Sequence, residues 1–363
     1  MVNQKQIAEA LNMTQQAVSA ALRPEGMPGT VRVAPKTRQL VLETAKKMGY
    51  RSNRYASILK SGKSQLIAIL YISVSYDWVD KVQAISQEIK KQGYIPWPYD
   101  IRSYRDRLEE LMDLLLMSKV EGIVVTTGTP VKLMEMLFTT RIPMVALQSI
   151  IFEGIPWVGP DKVAGFVEIT RHLYEQGCKR VYLGRPEPKS KFDRRLHPEM
   201  LPDSHAGFLE YYRQNRLPKP ELPLVFLPEN YTEEPHTLNG NIDEYKSGYL
   251  LAQESLKYCP DALILPNDNT AMGALCGFRD AGLRVPEDIC VTGFNGELQT
   301  LYSWIPITTV YQPATSMGQE IGKLIAKLIQ TPHTNRYRKP SYHPCRFEAR
   351  QSSTRIPLTT HTC

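Results

Sequence analysis

The first apolar positions of the chain fall at helical spacing. Ile7, Ala8 and Leu11 share one face over "QKQIAEAL". Ala17, Val18, Ala21 and Leu22 repeat that stripe in "QQAVSAAL" after a short break. Asn12 stands in the break. Asparagine is one of the few non-glycine residues that accept the left-handed backbone of a sharp helix-to-helix turn. Thr14 is placed to cap the second helix. The spacing predicts two short helices joined tightly, with small Ala8 near their crossing, which is the helix-turn-helix pattern. The Pro- and Gly-rich loop "RPEGMPGTVRV" follows. A third helix is predicted over "APKTRQLVLETAKKMGY", with Val41, Leu42, Ala45 and Met48 inward and Arg38, Lys46 and Lys47 outward. "RSNRYASILKSGKS" then reads as a basic connector of one or two helical turns.

From Leu66 the texture changes. "QLIAILYISV" is a continuous apolar run, the mark of a strand buried on both faces. A helix over 78–92 follows, with Val79, Val82, Ile85 and Ile89 in register. Strands at "EGIVVTT", "IPMVALQ", "IPWVGPD", "KRVYLG", "PLVFL", "DALILPND" and "DICVTGF" alternate with helices at 104–117, 131–140, 162–176, 204–216, 243–258 and 269–281. That alternation predicts a parallel α/β architecture with two open sheets. Ligands of such sheets bind outside the carboxyl ends of the strands. Two stretches, 185–203 and 228–243, are long and rich in proline and charge, and they read as loops.

Charge divides the chain in the same place. Residues 1–63 carry 11 Lys and Arg against 3 Asp and Glu, and the remainder carries 33 against 34. A basic block with regular apolar periodicity, joined to a neutral body, points to a polyanion-binding module rather than a solvated tail. The six cysteines are scattered, with no CxxC and no metal-ligand spacing, so free thiols and a cytoplasmic setting are expected. No run approaches the ~18 apolar residues of a membrane helix, and no signal peptide is expected. No P-loop, nucleophile elbow or GxGxxG is present. "HPEMLPDSH" and "EPH" place His near carboxylates at irregular spacing, so no metal and no cofactor are expected.

The order of parts resembles the lactose-repressor (LacI/GalR) family of bacterial transcription regulators. The resemblance rests on "IAEALNMTQQAVSAAL", "VAPKTRQLVLETAKKMGYRSNRYASILKSGKSQLIAIL", "VGPDKVAG", "LPNDNTAMGALCGFRDAGLRVPEDICVTGFNGE", "PITTVYQPATSMGQEIGKLIAKLI" and "RFEARQSST". It spans nearly the whole chain. It implies an all-α helix-turn-helix head over 1–51 and a hinge over 52–64. A two-lobed, periplasmic-binding-protein-like effector and dimerisation domain over 65–355 and a tail over 356–363 complete the expectation. The N-lobe is expected at about 65–161 and 312–338, the C-lobe at about 162–311 and 339–355. Four departures stand out. Asn12 replaces the family's turn glycine, the loop before Val33 is longer, Asn295 replaces the Asp of Gly-Phe-Asp, and Ser204 stands where an Arg often precedes Gly-Phe. In sugar-binding members that Asp and Arg hold the effector, so a sugar-like effector, an altered ligand and no ligand at all stay open.

A recognition helix starting at Thr14 places Gln15, Gln16, Ser19 and Ala20, with Thr14 itself, at base edges. Glutamine pairs bidentately with adenine, serine serves several bases, and an alanine methyl meets that of thymine. Lys5, Arg32, Lys36, Arg38 and Arg54 are the phosphate candidates. The resemblance implies a hinge helix that orders on DNA, with Asn53, Ala56 and Leu59 at the minor groove and Leu59 as the wedge. Ser75, Tyr76, Asp77, Trp78, Asn267 and Asn295 follow strands and are the effector candidates, with Asp77 and Trp78 at the place of a ligand-stacking aromatic pair in the family. Asp161 reads as a helix cap. The expected protein is a dimeric, effector-controlled repressor of a near-palindromic operator, without enzyme activity or membrane attachment. "RIPLTTHTC" lacks heptads, so a coiled-coil route to a tetramer is not expected. The alternatives are a ligand-binding protein of periplasmic type and an α/β enzyme with a DNA-binding appendage.

Overall fold

The computed structural model describes residues 2–22, 33–50, 63–72, 76–104, 106–126, 128–148, 154–191, 203–218, 220–231, 244–331 and 340–355. The chain divides into two units, Met1–Gln65 and Leu66–Cys363.

The first unit contains α1 (Gln4–Ala10), α2 (Gln15–Ala21) and α3 (Pro35–Lys47). Its core is Ile7, Ala8, Val18, Ala21, Val41 and Ala45. Asn3 opens α1 with a capping box: its side chain accepts from the Gln6 amide while the Gln6 side chain accepts from the Asn3 amide. Asn12 has φ +51, the left-handed turn expected of it, and the Met13 amide closes back on the Ala8 carbonyl at 2.8 Å. Thr14 Oγ1 accepts from the Ala17 amide at 3.2 Å. Leu42, expected inward, is 45% exposed. The buried stripe of α3 runs through Val41 and Ala45, one helical turn apart, and Leu42 sits about 100° off it.

Asn12→Gly is expected to leave this unit's stability unchanged or slightly raised. Asn12→Val puts a β-branched residue at positive φ and is expected to cost about 1–2 kcal/mol. Calorimetry of the full chain, following the head's own transition, measures both.

The second unit is built on two parallel sheets. The six-stranded sheet has the order β11 (Ser341–His343), β5 (Trp157–Pro160), β4 (Met144–Leu147), β3 (Gly122–Thr126), β1 (Leu66–Tyr71), β2 (Ile95–Asp100). One face is covered by α5 (Leu108–Met117) and α6 (Val131–Thr139), the other by α4 (Tyr76–Lys91) and α12 (Ala314–Gln330). The β2 strand escaped the sequence reading because Pro96 and Pro98 argue against a strand. It lies at the sheet edge, where proline is tolerated. The two prolines have the same phase, so their missing N–H groups face the unpaired side, while Ile101 N still reaches Tyr71 O at 3.0 Å.

The four-stranded sheet has the order β7 (Leu224–Leu227), β6 (Val181–Pro188), β8 (Ala262–Ile264), β9 (Cys290–Thr292). It is flanked by α7 (Lys162–Glu175), α8 (Asp203–Gln214), α9 (Glu244–Ser255) and α10 (Asp268–Asp280), and the short α11 (Gln299–Tyr302) follows β9. The β6 strand continues to Pro188, so the stretch read as a loop from 185 begins as strand. Helices α9 and α10 touch backbone to backbone: a Cβ on Gly273 would stand 1.9 Å from Tyr245 O. A short antiparallel pair, β10 (Thr309–Tyr311) with β12 (Arg346–Glu348), joins this lobe through bridges Thr292–Thr308 and Asn295–Tyr311.

The chain crosses between lobes three times, near 161, 312 and 344. The third crossing corrects the expected boundary. Residues 341–343 belong to the first lobe, because β11 pairs with β5 and not with the second sheet. Ser341 Oγ and His343 Nε2 bind Glu320 of α12 at 2.9 and 2.8 Å, which fastens the strand there. From Cys345, which packs against the second lobe's core, the chain lies in the second lobe.

Candidate functional site

The head presents an uncharged surface on α2. Gln15 and Gln16 are exposed and Ser19 is half-buried. Thr14 is exposed, although its hydroxyl oxygen is occupied as the cap. Ala20 corrects the sequence reading, since it is only 7% exposed. Lys5 and Lys36 are exposed and Arg38 is half-buried. Arg32, Asn53, Arg54, Ala56 and Leu59 lie outside the described residues.

In the second unit, the carboxyl ends of both sheets bring polar side chains together. Trp78, on α4, is half-buried against the first lobe's core. Lys81, one turn on, is fully buried with its ammonium 4.9 Å from the Trp78 ring centroid. Its Nζ donates to Gln312 Oε1 at 2.9 Å, and Gln148 Nε2 reaches the same oxygen at 3.3 Å. Gln312 Nε2 donates to Asn295 Oδ1 at 2.6 Å. Asn295 has φ +116 and is half-buried. Ser75 lies outside the described residues; Tyr76 and Asp77 begin α4.

Asn267, an effector candidate, is engaged as the N-cap of α10. Its Oδ1 accepts from the Thr270 amide at 2.8 Å and the Thr270 hydroxyl at 2.9 Å, and its Nδ2 donates to Glu244 at 3.0 Å. Asp161 caps α7 in the same way, accepting from the Ala164 amide at 3.0 Å.

Beside Asn267, Asp268 is completely buried and ties the second lobe's cleft edge together. Thr309 Oγ1 lies 2.6 Å from one carboxyl oxygen and the Glu297 amide donates to the other at 2.7 Å. Burial raises its pKa to about 8, against these two hydrogen bonds, with the nearby Glu297 charge adding to the rise. Gly293 makes the approach possible: a Cβ there would stand 2.3 Å from Asp268 Oδ1. Ser204, which replaces the family's Arg, is 9% exposed. Its neighbour His205 is buried, and burial together with the Arg185 charge lowers its pKa to about 4. Arg185, at the cleft end of β6, is ion-paired to Glu187.

Lys81, Gln148, Gln312 and Asp268 were not among the sequence candidates. Asp268 and Gln148 did carry a signal, since the runs "DALILPND" and "IPMVALQ" that predict strands end on them. Lys81 was hidden by the apolar criterion. The inward stripe of α4 passes through Trp78, Lys81, Val82, Ile85 and Ile89, while Val79, expected inward, is 51% exposed. Among the described residues, no cluster of three or more His, Cys, Asp or Glu is placed to hold a metal. No helix among them is long and apolar enough to cross a membrane.

A two-lobed α/β unit with a polar cleft between strand ends, preceded by a three-helix head, defines a class of ligand-sensing proteins. Residues 170–353 match the periplasmic binding protein-like domain. Residues 64–200 match the model described as periplasmic binding proteins and sugar binding domain of LacI family. The chain belongs to the LacI/GalR family of transcription regulators. It is 24% identical to the ribose operon repressor of Halalkalibacterium halodurans over 344 residues, 93% of each chain. It is 27% identical to catabolite control protein A of Staphylococcus xylosus over 320 residues, 86% of this chain and 89% of that one. The lac repressor dimer bound to operator and the anti-inducer ONPF shares its fold, with a TM-score of 0.73 and 21% identity over 97% of this chain and 99% of that one. The regulator CelR in its cellobiose complex gives 0.65 and 19% over 97% and 100%.

Proposed function

We propose that this protein is a cytoplasmic, homodimeric repressor that reads a near-palindromic operator through α2 and is controlled by a small molecule bound between its lobes. The observation that carries the reading is the uncharged Gln15–Gln16–Ser19 face, with both glutamines exposed and Ser19 half-buried, on a capped helix behind a left-handed turn, in a chain whose body is a two-lobed sensor. In this reading α2 lies in the major groove with Gln15, Gln16 and Ser19 at base edges and Thr14 at the helix start. Lys5, Arg32, Lys36, Arg38 and Arg54 hold phosphates, and Leu59, flanked by Asn53 and Ala56, enters the minor groove. Ala20 is withdrawn as a base reader because of its burial. The chain acts by binding, as its relatives named repressors do, and catalyses nothing.

The effector sits against Trp78, Asn295 and the strand ends. Cellobiose is bound by CelR and ribose by a relative from Enterococcus faecium, which makes sugars the first compounds to screen. Asn295 and Ser204, standing where the family resemblance places the effector-holding Asp and Arg of sugar-binding members, extend the screen to sugar acids and nucleosides. Thermal shift of the full chain reads binding, because a ligand of the folded state raises the melting point by mass action. Leu59→Ala is expected to weaken operator affinity about tenfold or more and to leave random-sequence binding within about twofold, since a wedge acts only on a kinked site. Equal loss on both DNAs in a titration would remove the wedge.

A further inference from the structure

Four polar side chains from both lobes form one chain of hydrogen bonds across the cleft. Lys81 of α4 and Gln148 at the end of β4 both donate to Gln312 Oε1, at 2.9 and 3.3 Å. Gln312 Nε2 donates to Asn295 Oδ1 at 2.6 Å. Lys81 and Gln148 belong to the first lobe, and Asn295 stands on the turn that follows β9 in the second. Gln312 itself lies on the crossover between β10 and α12.

Four features mark this as a built connection. The carboxamide of Gln312 has a single consistent orientation, because its oxygen faces two donors and its nitrogen faces an acceptor. An ammonium donor strengthens the first bond and polarises the amide toward the second. Both ends also hold unusual backbone: Gln148 has φ +68 and Asn295 φ +116, so each side chain is aimed by a conformation that non-glycine residues rarely adopt. Lys81 is fully buried and Gln148 is 8% exposed, so water competes little at the first-lobe end, while Gln312 and Asn295 are half-buried.

We propose that Lys81, Gln148, Gln312 and Asn295 form a latch that holds the two lobes closed without any small molecule. The latch places on the chain's own residues the bridging that a ligand between two lobes otherwise provides. It rests on the reading of the second unit as a two-lobed sensor, but not on the identity of an effector or an operator.

Hydrogen exchange by mass spectrometry on the ligand-free full chain tests it, with no DNA present. Asn295→Gly removes the acceptor and suits the positive φ, so its backbone is not strained. Asn295→Asp keeps the acceptor. Gln312→Ala removes the relay, and Lys81→Met removes the charged donor at similar length. Amides of 145–148 and 293–297 are expected to exchange about tenfold faster in the Gly, Ala and Met variants, the change one lost hydrogen bond makes in an opening equilibrium. Asn295→Asp is expected to keep wild-type rates. The latch is overturned if Asn295→Gly and Gln312→Ala exchange as wild type, or if Asn295→Asp opens as far as Asn295→Gly. A variant that loses its cooperative melt is set aside, and the pair at Asn295 then decides. Because the readout is the protection of the two cleft edges and no DNA is present, it separates the latch from the DNA-binding reading, which operator titration of wild type tests alone.

Discussion

Replacing Gln15 and Gln16 together by alanine is expected to lower operator affinity by about 30-fold to 10⁴-fold while changing random-sequence affinity by less than about threefold. The range follows from two bidentate base pairs at about 1–3 kcal/mol each. Both side chains are exposed on α2 and make no part of the head's core, which is built from Ile7, Ala8, Val18, Ala21, Val41 and Ala45. Alanine is the best helix former, and the Thr14 cap on Ala17 is untouched, so the helix persists. Lys36→Ala supplies the contrast. As a phosphate contact it is expected to weaken both DNAs alike and to reduce the salt slope by about 1. Fluorescence anisotropy with matched operator and scrambled duplexes separates the two behaviours. A Gln15/Gln16 variant that keeps its discrimination would remove these residues as readers.

Between about pH 4 and pH 8 the second lobe is expected to lose stability as pH rises, through Asp268. Its carboxyl has a pKa of about 8 when folded, against the 3.8 of an ordinary aspartate. The folded state therefore binds the proton more tightly than the unfolded chain across that window. By linkage, stability falls wherever the folded state binds more protons and pH increases. The contribution is fully present below about pH 4 and is gone above about pH 8. A shift of this size corresponds to an upper bound on the order of several kcal/mol. Asp268→Asn mimics the protonated carboxyl, with one acceptor for the Glu297 amide and a donor for Thr309. It is expected to flatten this slope and to be more stable than wild type at pH 8.5. Urea unfolding of both proteins at pH 5 and pH 8.5 isolates Asp268, because all other titrating groups are common to the pair. Parallel behaviour at both pH values would mean that Asp268 is ionised in the folded protein.

The architecture was legible where local chemistry and global fold agree. Asn12 announced a left-handed turn because few residues accept one, and it has φ +51. The alternation of apolar runs and amphipathic stretches predicted both sheets, since their central parallel strands are buried on two faces. The misses share a cause. Lys81 was passed over because a stripe of apolar residues does not announce a buried cation, although helical spacing from Trp78 leads straight to it. Strand β2 was hidden by prolines that an edge position tolerates. Strand β11 has three residues, Ser341, Tyr342 and His343, with no apolar run, and its place depends on Glu320 of α12, which local pattern does not reveal. At the cleft, the sequence pointed to strand ends but not to which polar groups would bind one another. Asn267 proved to be held by α10 and Glu244, whereas Asn295 joined Gln312 across the lobes.

The central claim is that the basic head reads sequence and does not merely bind polyanions. Titration of the full chain against its selected operator and against random duplex, over a series of salt concentrations, tests it most directly. The account predicts a steep negative salt slope on both DNAs and an operator preference of ~10³ or more at physiological salt. A similar slope with no preference for any sequence would contradict it.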